Sequence, residues 1–162
     1  MSLDLRILDL LQENSRLDAA RIAVMLGEEE QAVADALRRM EDEHVILGYT
    51  SIINWEKTER DAITALIEVR VTPQLGHGFD SIAQQIYRYP EVKSCFLMSG
   101  GYDLMLIVEG DTLKDVAMFV SERIAPVESV LSTQTHFILR TYKRESTVFD
   151  VRASDDREAV VL

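Results

Sequence analysis

Bond-breaking chemistry needs a nucleophile beside a base, a matched acid and base, or a cluster of metal ligands. The sequence displays none of these patterns, so no catalytic or metal-binding residue is expected. Cys95 is the only cysteine, which excludes an internal disulfide and a cysteine-based zinc site. It alternates with Ser94 and Phe96 in a strand-like run and reads as a small packed residue. His44, His77 and His136 are far apart, with no Cys or His at ligand spacing. His77, between Gly76 and Gly78, reads as a turn residue.

What remains is binding chemistry. In Gly100-Gly101-Tyr102-Asp103 the glycines would let the backbone approach a small ligand, and the carboxylate could accept hydrogen bonds from an ammonium group. The same four residues also spell an ordinary hairpin turn. Thr133 and Thr135 share one strand face and could line the same cleft, although strand propensity alone accounts for them. Arg38 and Arg39 could contact a phosphate or a guanine edge, and Arg21 could clamp a nucleic-acid backbone. The alternative for Arg38 is a helix-surface pair with Asp42, four residues on.

The elements that must position these residues come in two sets. Leu3, Ile7, Leu8 and Leu11 recur at helical spacing. Asp18 suits the N-cap of a second helix with Ile22, Ala23 and Leu26 inward, and Gly27 suits its end. A third helix carries Val33, Ala36, Leu37 and Met40. The tight Gly27 turn makes a helix-turn-helix. Val45 to Tyr49 and Ser51 to Trp55 read as two β runs around a turn, so residues 1–55 are expected to be a winged helix-turn-helix. The polar stretch 56–61 is the expected linker. Beyond it the period becomes two: Ile63, Ala65, Ile67, Val69 and Val71 mark a strand over 62–72. A helix around Phe79–Ile86, strands over 92–99 and 102–108, a helix after Thr112 and a strand over 128–141 complete a βαββαβ order. The expected fold class is thus α+β, with a ferredoxin-like domain over 62–143 and a tail over 144–162. Two helices cover one face of a four-stranded sheet, so its other, partly apolar face is expected to pack on a second copy.

Charge constrains the partners. Seventeen basic and 28 acidic residues leave a formal charge of −11. Residues 1–60 carry 7 bases against 13 acids, so the acidity is as dense in the helix-turn-helix half as beyond it. Between Glu28 and Glu43 seven acids face only Arg38 and Arg39. Each acid near a phosphate is repulsive, because duplex affinity rests largely on phosphate neutralisation. Anionic membrane surfaces are disfavoured for the same reason. No apolar run approaches 18 residues and no secretory leader is recognisable, so a cytoplasmic location is expected.

Several strings together carry a family resemblance. Leu8-Asp9-Leu10-Leu11 with Arg16, Leu37-Arg38-Arg39-Met40-Glu41 with Val45-Ile46-Leu47-Gly48-Tyr49, Ser99-Gly100-Gly101-Tyr102-Asp103, and Ser132-Thr133-Gln134-Thr135 resemble, in order and spacing, the Lrp/AsnC transcriptional regulators. The resemblance spans residues 3–143. It implies DNA binding by dimers, further assembly that often reaches octamers, and an amino acid effector bound between dimers, with no other cofactor. The chain departs from the family at Glu28-Glu29-Glu30, where relatives commonly place a Ser or Thr cap followed by small polar and basic residues. Two readings follow. One is an amino-acid-responsive regulator that contacts double-stranded DNA through Arg21, Arg38 and Arg39. The other is a small-molecule-binding oligomer whose acidic recognition helix binds DNA weakly or not at all. An enzyme on the same scaffold has no signature to support it.

Overall fold

The computed structural model describes residues 1–60, 62–72 and 78–149. His77, and the tail from residue 150 onward, lie outside the described residues. The chain divides into two compact units, Met1–Ile53 and Asn54–Leu162.

The first unit holds α1 (Leu3–Glu13), α2 (Ala19–Leu26) and α3 (Glu30–Asp42). Their apolar stripes meet in one core of Ile7, Leu11, Ile22, Ala23, Val33, Ala36 and Met40. The Ser2 hydroxyl accepts from Leu5 N and the Asp18 carboxylate accepts from Arg21 N, which caps α1 and α2. Helix α3 begins at Glu30 rather than Glu28. Glu28 N is drawn back to Ala23 O at 3.0 Å by the turn at Gly27, and Glu29 is a cap residue whose side chain makes no capping bond.

The expected β-wing does not form. Residues 45–54 contain no strand. Ile46 packs on the helical core, but Leu47 is 88% exposed and Val45 is 54% exposed, so the stretch lacks the continuous covered face a strand needs, and an isolated hairpin is marginal in water. It is pinned instead by point contacts: Val45 N and Ile46 N donate to Met40 O, and the Ser15 hydroxyl donates to Thr50 O.

The second unit opens with a 3-10 turn at Trp55–Lys57, where Arg60 stacks on the Trp55 ring at 4.6 Å. The order is then β1 (Ile63–Val71), α4 (Gly78–Tyr87), β2 (Val92–Leu97), β3 (Leu104–Gly110), α5 (Leu113–Phe119) and β4 (Val130–Phe137). Helix α5 runs on through a π-helical turn, Val120–Ile124. It is capped by Thr112, whose hydroxyl accepts from Asp115 N and donates to the Asp115 carboxylate. The sheet order is β2-β3-β1-β4, with every neighbouring pair antiparallel, which is the ferredoxin-like arrangement.

One sheet face and the two helices close a core. Ala65, Ile67, Val69, Val71, Leu104, Leu106 and Val108 pack with Ile82, Ile86, Val116 and Ile124. The opposite face, covered by neither helix, carries Leu66, Met105, Ile107 and Phe96, with Phe96 47% exposed. A short hairpin, β5 (Lys143–Arg144) and β6 (Thr147–Val148), follows where the sequence suggested only a tail.

Candidate nucleic-acid interface and ligand loop

The α2–α3 turn is made by Gly27, whose φ of 68° lies in the left-handed region that a side chain strains. It leaves α3 with an outward face of Gln31, Ala32, Asp35, Arg38 and Arg39. Acids hold both arginines. Arg38 pairs with Asp35 at 3.2 Å, one turn back, and not with Asp42. Asp35 also accepts from Gln31 at 3.0 Å, so Arg38 joins a carboxylate that is already fixed. Arg39 Nη2 lies 2.6 Å from each oxygen of Asp4, on α1. Arg6 bridges Glu28, at 2.8 Å, and the Leu26 carbonyl, at 2.7 Å. Asp4 and Arg6 were not singled out from sequence, because their partners are 35 and 22 residues away and no local spacing rule connects them.

Arg21 differs. Its side chain makes no ion pair among the described residues, and it lines a shallow groove with Leu17, Ala20, Val24 and Met25. Beyond α3, the Tyr49 hydroxyl donates to Glu41 at 2.7 Å. Burial, then that bond and the nearby Glu41 charge, push the Tyr49 pKa up to about 12.

In the second unit Asp103 is the organising residue of the loop. Its N–H donates to Val69 O at 3.1 Å, its carbonyl accepts from Met98 N at 2.8 Å, and its Oδ2 accepts from Val71 N at 2.9 Å. That last bond falls where the β1–β4 register shifts, between Arg70 and Val71. The carboxylate thus takes up a β1 N–H just past the end of the β1–β3 ladder, on the edge away from that shift, and keeps Oδ1 without a partner among the described residues. Among the described residues a Cβ on Gly100 or Gly101 would meet nothing within 4 Å, so their packing does not demand either glycine.

Thr133 is the Cα partner of Val69, and Thr135 of Ile67. Both threonines are half-buried on the helix-covered face. Asp103 and Thr133 therefore flank the same residue of β1 from its two sides. The Tyr102 hydroxyl points to Met105 Sδ, 3.8 Å away, on the open face. The structure brings Asp103 and Thr133 to one end of the sheet, with the Tyr102 hydroxyl on the face opposite to the two threonines. Cys95 lies against the helix-side core, and burial raises its pKa, as suits a packed thiol. Among the described residues no three His, Cys, Asp or Glu side chains gather as metal ligands, and no helix is long and apolar enough to cross a membrane.

Comparison with known proteins adds family and fold. A family model for the AsnC-type helix-turn-helix domain matches residues 2–41, and one for the Lrp/AsnC ligand binding domain matches residues 64–148. The chain is 45% identical over 156 residues to the uncharacterized HTH-type transcriptional regulator YugG of Bacillus subtilis, covering 96% of this chain and 93% of that protein. It is 26% identical to the proline dehydrogenase transcriptional activator of Rhizobium radiobacter, covering 86% of this chain and 89% of the relative. Among solved structures it shares the fold of a Neisseria meningitidis transcriptional regulator in complex with L-Met. The TM-score there is 0.72 at 24% identity, over 89% of this chain and 92% of that one.

Proposed function

The chain belongs to the Lrp/AsnC family of transcriptional regulators, and from that premise we propose that it is an amino-acid-responsive regulator that binds double-stranded DNA as a dimer or a larger oligomer, octamers included. The observation that carries this reading is the pairing of the two matches in one chain, a helix-turn-helix over residues 2–41 and a ligand-binding domain over residues 64–148. Arg21, Arg38 and Arg39 are the DNA contacts. Gly100, Tyr102, Asp103, Thr133 and Thr135 are the effector contacts, and the effector is the only small molecule required. Oδ1 of Asp103, left over after Oδ2 has bonded Val71 N, suits an α-ammonium group. Two copies pack their open sheet faces together and present their α3 helices to half-sites about one helical turn, or a multiple of it, apart. The amino acid biases assembly, and through it operator occupancy. The compartment is the cytoplasm.

A second reading, weak or absent DNA binding, is favoured by one observation: Arg38 and Arg39 are both tied to carboxylates. A phosphate must displace Asp35 and Asp4 to reach them. Titrating the protein against DNA from upstream of its own coding sequence, at two salt concentrations, separates the readings. The regulator gives specific binding with a steep salt slope. No binding at low salt, with or without amino acids, sinks it. Asp4→Asn refines the result: releasing Arg39 is expected to tighten DNA binding several-fold, by the size of a surface ion pair of up to about 1 kcal/mol. An unchanged affinity removes Arg39 from the interface. A thermal-shift panel of the twenty amino acids tests the effector, since a ligand at 100 times its Kd stabilises by about 2.7 kcal/mol. No shift across the panel overturns the effector site.

A further inference from the structure

The helical unit, residues 1–53, holds five arginines and no lysine. Three of the arginines are already answered by acids: Arg6 by Glu28, Arg38 by Asp35 and Arg39 by Asp4. Arg16 and Arg21 make no ion pair among the described residues, and both are exposed. Their surroundings also differ in charge. Residues 14–27 carry these two arginines against one acid, Asp18, whereas residues 28–43 carry two arginines against seven acids.

The backbone around Arg16 is fixed. Arg16 N donates to Asn14 Oδ1 at 3.1 Å, and Leu17 N donates to Asn14 O at 3.3 Å. The Ser15 hydroxyl donates to Thr50 O at 3.1 Å, and Leu17 packs against the helical core. The turn between α1 and α2 is thus anchored through its neighbours, while the Arg16 side chain takes part in none of these bonds. Asp18, the acid between the two arginines, caps α2 by accepting from Arg21 N at 2.8 Å. That bond uses the Arg21 backbone and leaves its guanidinium unpaired among the described residues. The surface beside Arg21 is lined by Leu17, Ala20, Val24 and Met25, which bring no charge to repel an anion. A contact made from an anchored backbone orders little further chain on binding. A guanidinium presents five N–H donors in a fork that matches phosphate geometry.

We propose that Arg16 is a phosphate contact for duplex DNA, and that Arg16 and Arg21 together carry most of the sequence-independent binding of the helical unit. The proposal rests on the reading of the chain as a DNA-binding regulator and adds a residue to it. A phosphate reaching Arg16 or Arg21 displaces no paired carboxylate, whereas one reaching Arg38 or Arg39 must displace Asp35 or Asp4. Duplex affinity rests largely on phosphate neutralisation, so the unpaired arginines supply more of it than the paired ones.

The test uses the full chain and two fluorescently labelled duplexes, one from upstream of its own coding sequence and one of mixed sequence, with affinity followed by anisotropy as salt rises. Arg16→Gln, and Arg16→Gln with Arg21→Gln, are compared with the wild type, with Arg16→Lys, and with Arg38→Gln plus Arg39→Gln. At about 0.9 per neutralised phosphate, the slope of log affinity against log salt is expected to fall by about 0.9 per bound chain in Arg16→Gln and by about 1.8 in the Arg16, Arg21 double variant. It holds in Arg16→Lys and falls by less in the Arg38, Arg39 double variant. The loss is the same on both duplexes, because a backbone contact carries no sequence information. An unchanged slope in Arg16→Gln, while the wild type binds duplex, overturns the Arg16 contact and leaves the DNA-binding reading standing. Wild type that binds neither duplex at low salt overturns both. An equal slope loss in Arg16→Lys overturns the electrostatic contact. A loss confined to the upstream duplex makes Arg16 a reader of base edges and overturns the backbone assignment. A larger fall in the Arg38, Arg39 variant than in the Arg16, Arg21 variant overturns the division between unpaired and paired arginines.

Discussion

Residues 45–53 and 63–71 are both rich in the β-branched and aromatic side chains that favour strands, yet only the second stretch forms one. The difference lies in what each can bury. In β1 every second residue from Ala65 to Val71 is buried under the helices, and both edges are hydrogen-bonded, to β3 and to β4. In 45–53, Val45, Leu47, Tyr49, Ile52 and Ile53 are exposed. Among the bonds that hold that stretch are those to the Met40 carbonyl, from Ser15 to the Thr50 carbonyl, and from Tyr49 to Glu41. Strand propensity is thus permissive, and a covered face decides.

The largest expected effect breaks the stretch that has the face. Ile67 is fully buried between Leu106 and Thr135 on its neighbouring strands. Ile67→Ala is expected to cost about 3 kcal/mol in chemical denaturation, from lost burial and the cavity left behind. Leu47→Ala, the matched change in the exposed stretch, is expected to cost about 0.5 kcal/mol or less. Similar costs at the two sites would mean that Leu47 is covered in solution, by a second copy or by another part of the chain.

A smaller effect tests the polar bond that completes β1. Asp103→Ala removes the acceptor for Val71 N just past the end of the β1–β3 ladder. The expected loss is about 1.5 kcal/mol, the scale of a half-buried hydrogen bond to a charged group. Asp103→Asn, which keeps an acceptor, is expected to recover most of it while still losing any response to an amino acid. Equal losses for Ala and Asn would show that the charge, rather than the bond to Val71, stabilises the loop.

Legibility in the sequence follows the same division. The helical stripes and β1 declare themselves because period and burial coincide: Ile7, Ile22, Val33 and Met40 all reach the core that their spacing predicts. The wing does not form, because the same residue types lack a continuous covered face. The Arg39–Asp4, Arg6–Glu28 and Asp103–Val71 contacts join residues 35, 22 and 32 positions apart, and no local pattern encodes such pairs. The β5–β6 hairpin went unread for another reason. Its turn is Glu145-Ser146, where a type I′ turn ordinarily announces itself with Asn-Gly or Asp-Gly. At the ligand loop, Gly100 to Asp103 was legible as a turn able to approach a ligand, but the bond that commits Asp103 Oδ2 to the β1 backbone was not.

The smallest effect probes the pin that holds the exposed stretch. The pKa of Tyr49 is raised from its ordinary 10.0 to about 12, first by burial and then by the bond to Glu41 and its charge. A raised tyrosine pKa means that the folded state favours the neutral phenol. The contribution of this bond is therefore fully present below pH 10.0 and is lost as the pH rises through about 12. Glu41→Gln keeps an acceptor but removes the charge, so Tyr49 is expected to titrate lower than in the wild type. The first cause, partial desolvation of a ring that is still half-exposed, does not depend on Glu41, so part of the rise above 10.0 is expected to remain. The chain has five tyrosines, so the titration is read as the difference in tyrosinate absorbance between each protein and its Tyr49→Phe counterpart. If Tyr49 already titrates near 10.0 in the wild type, the pin to Glu41 is open in solution, and residues 45–53 lose one of the bonds that distinguish them from free chain.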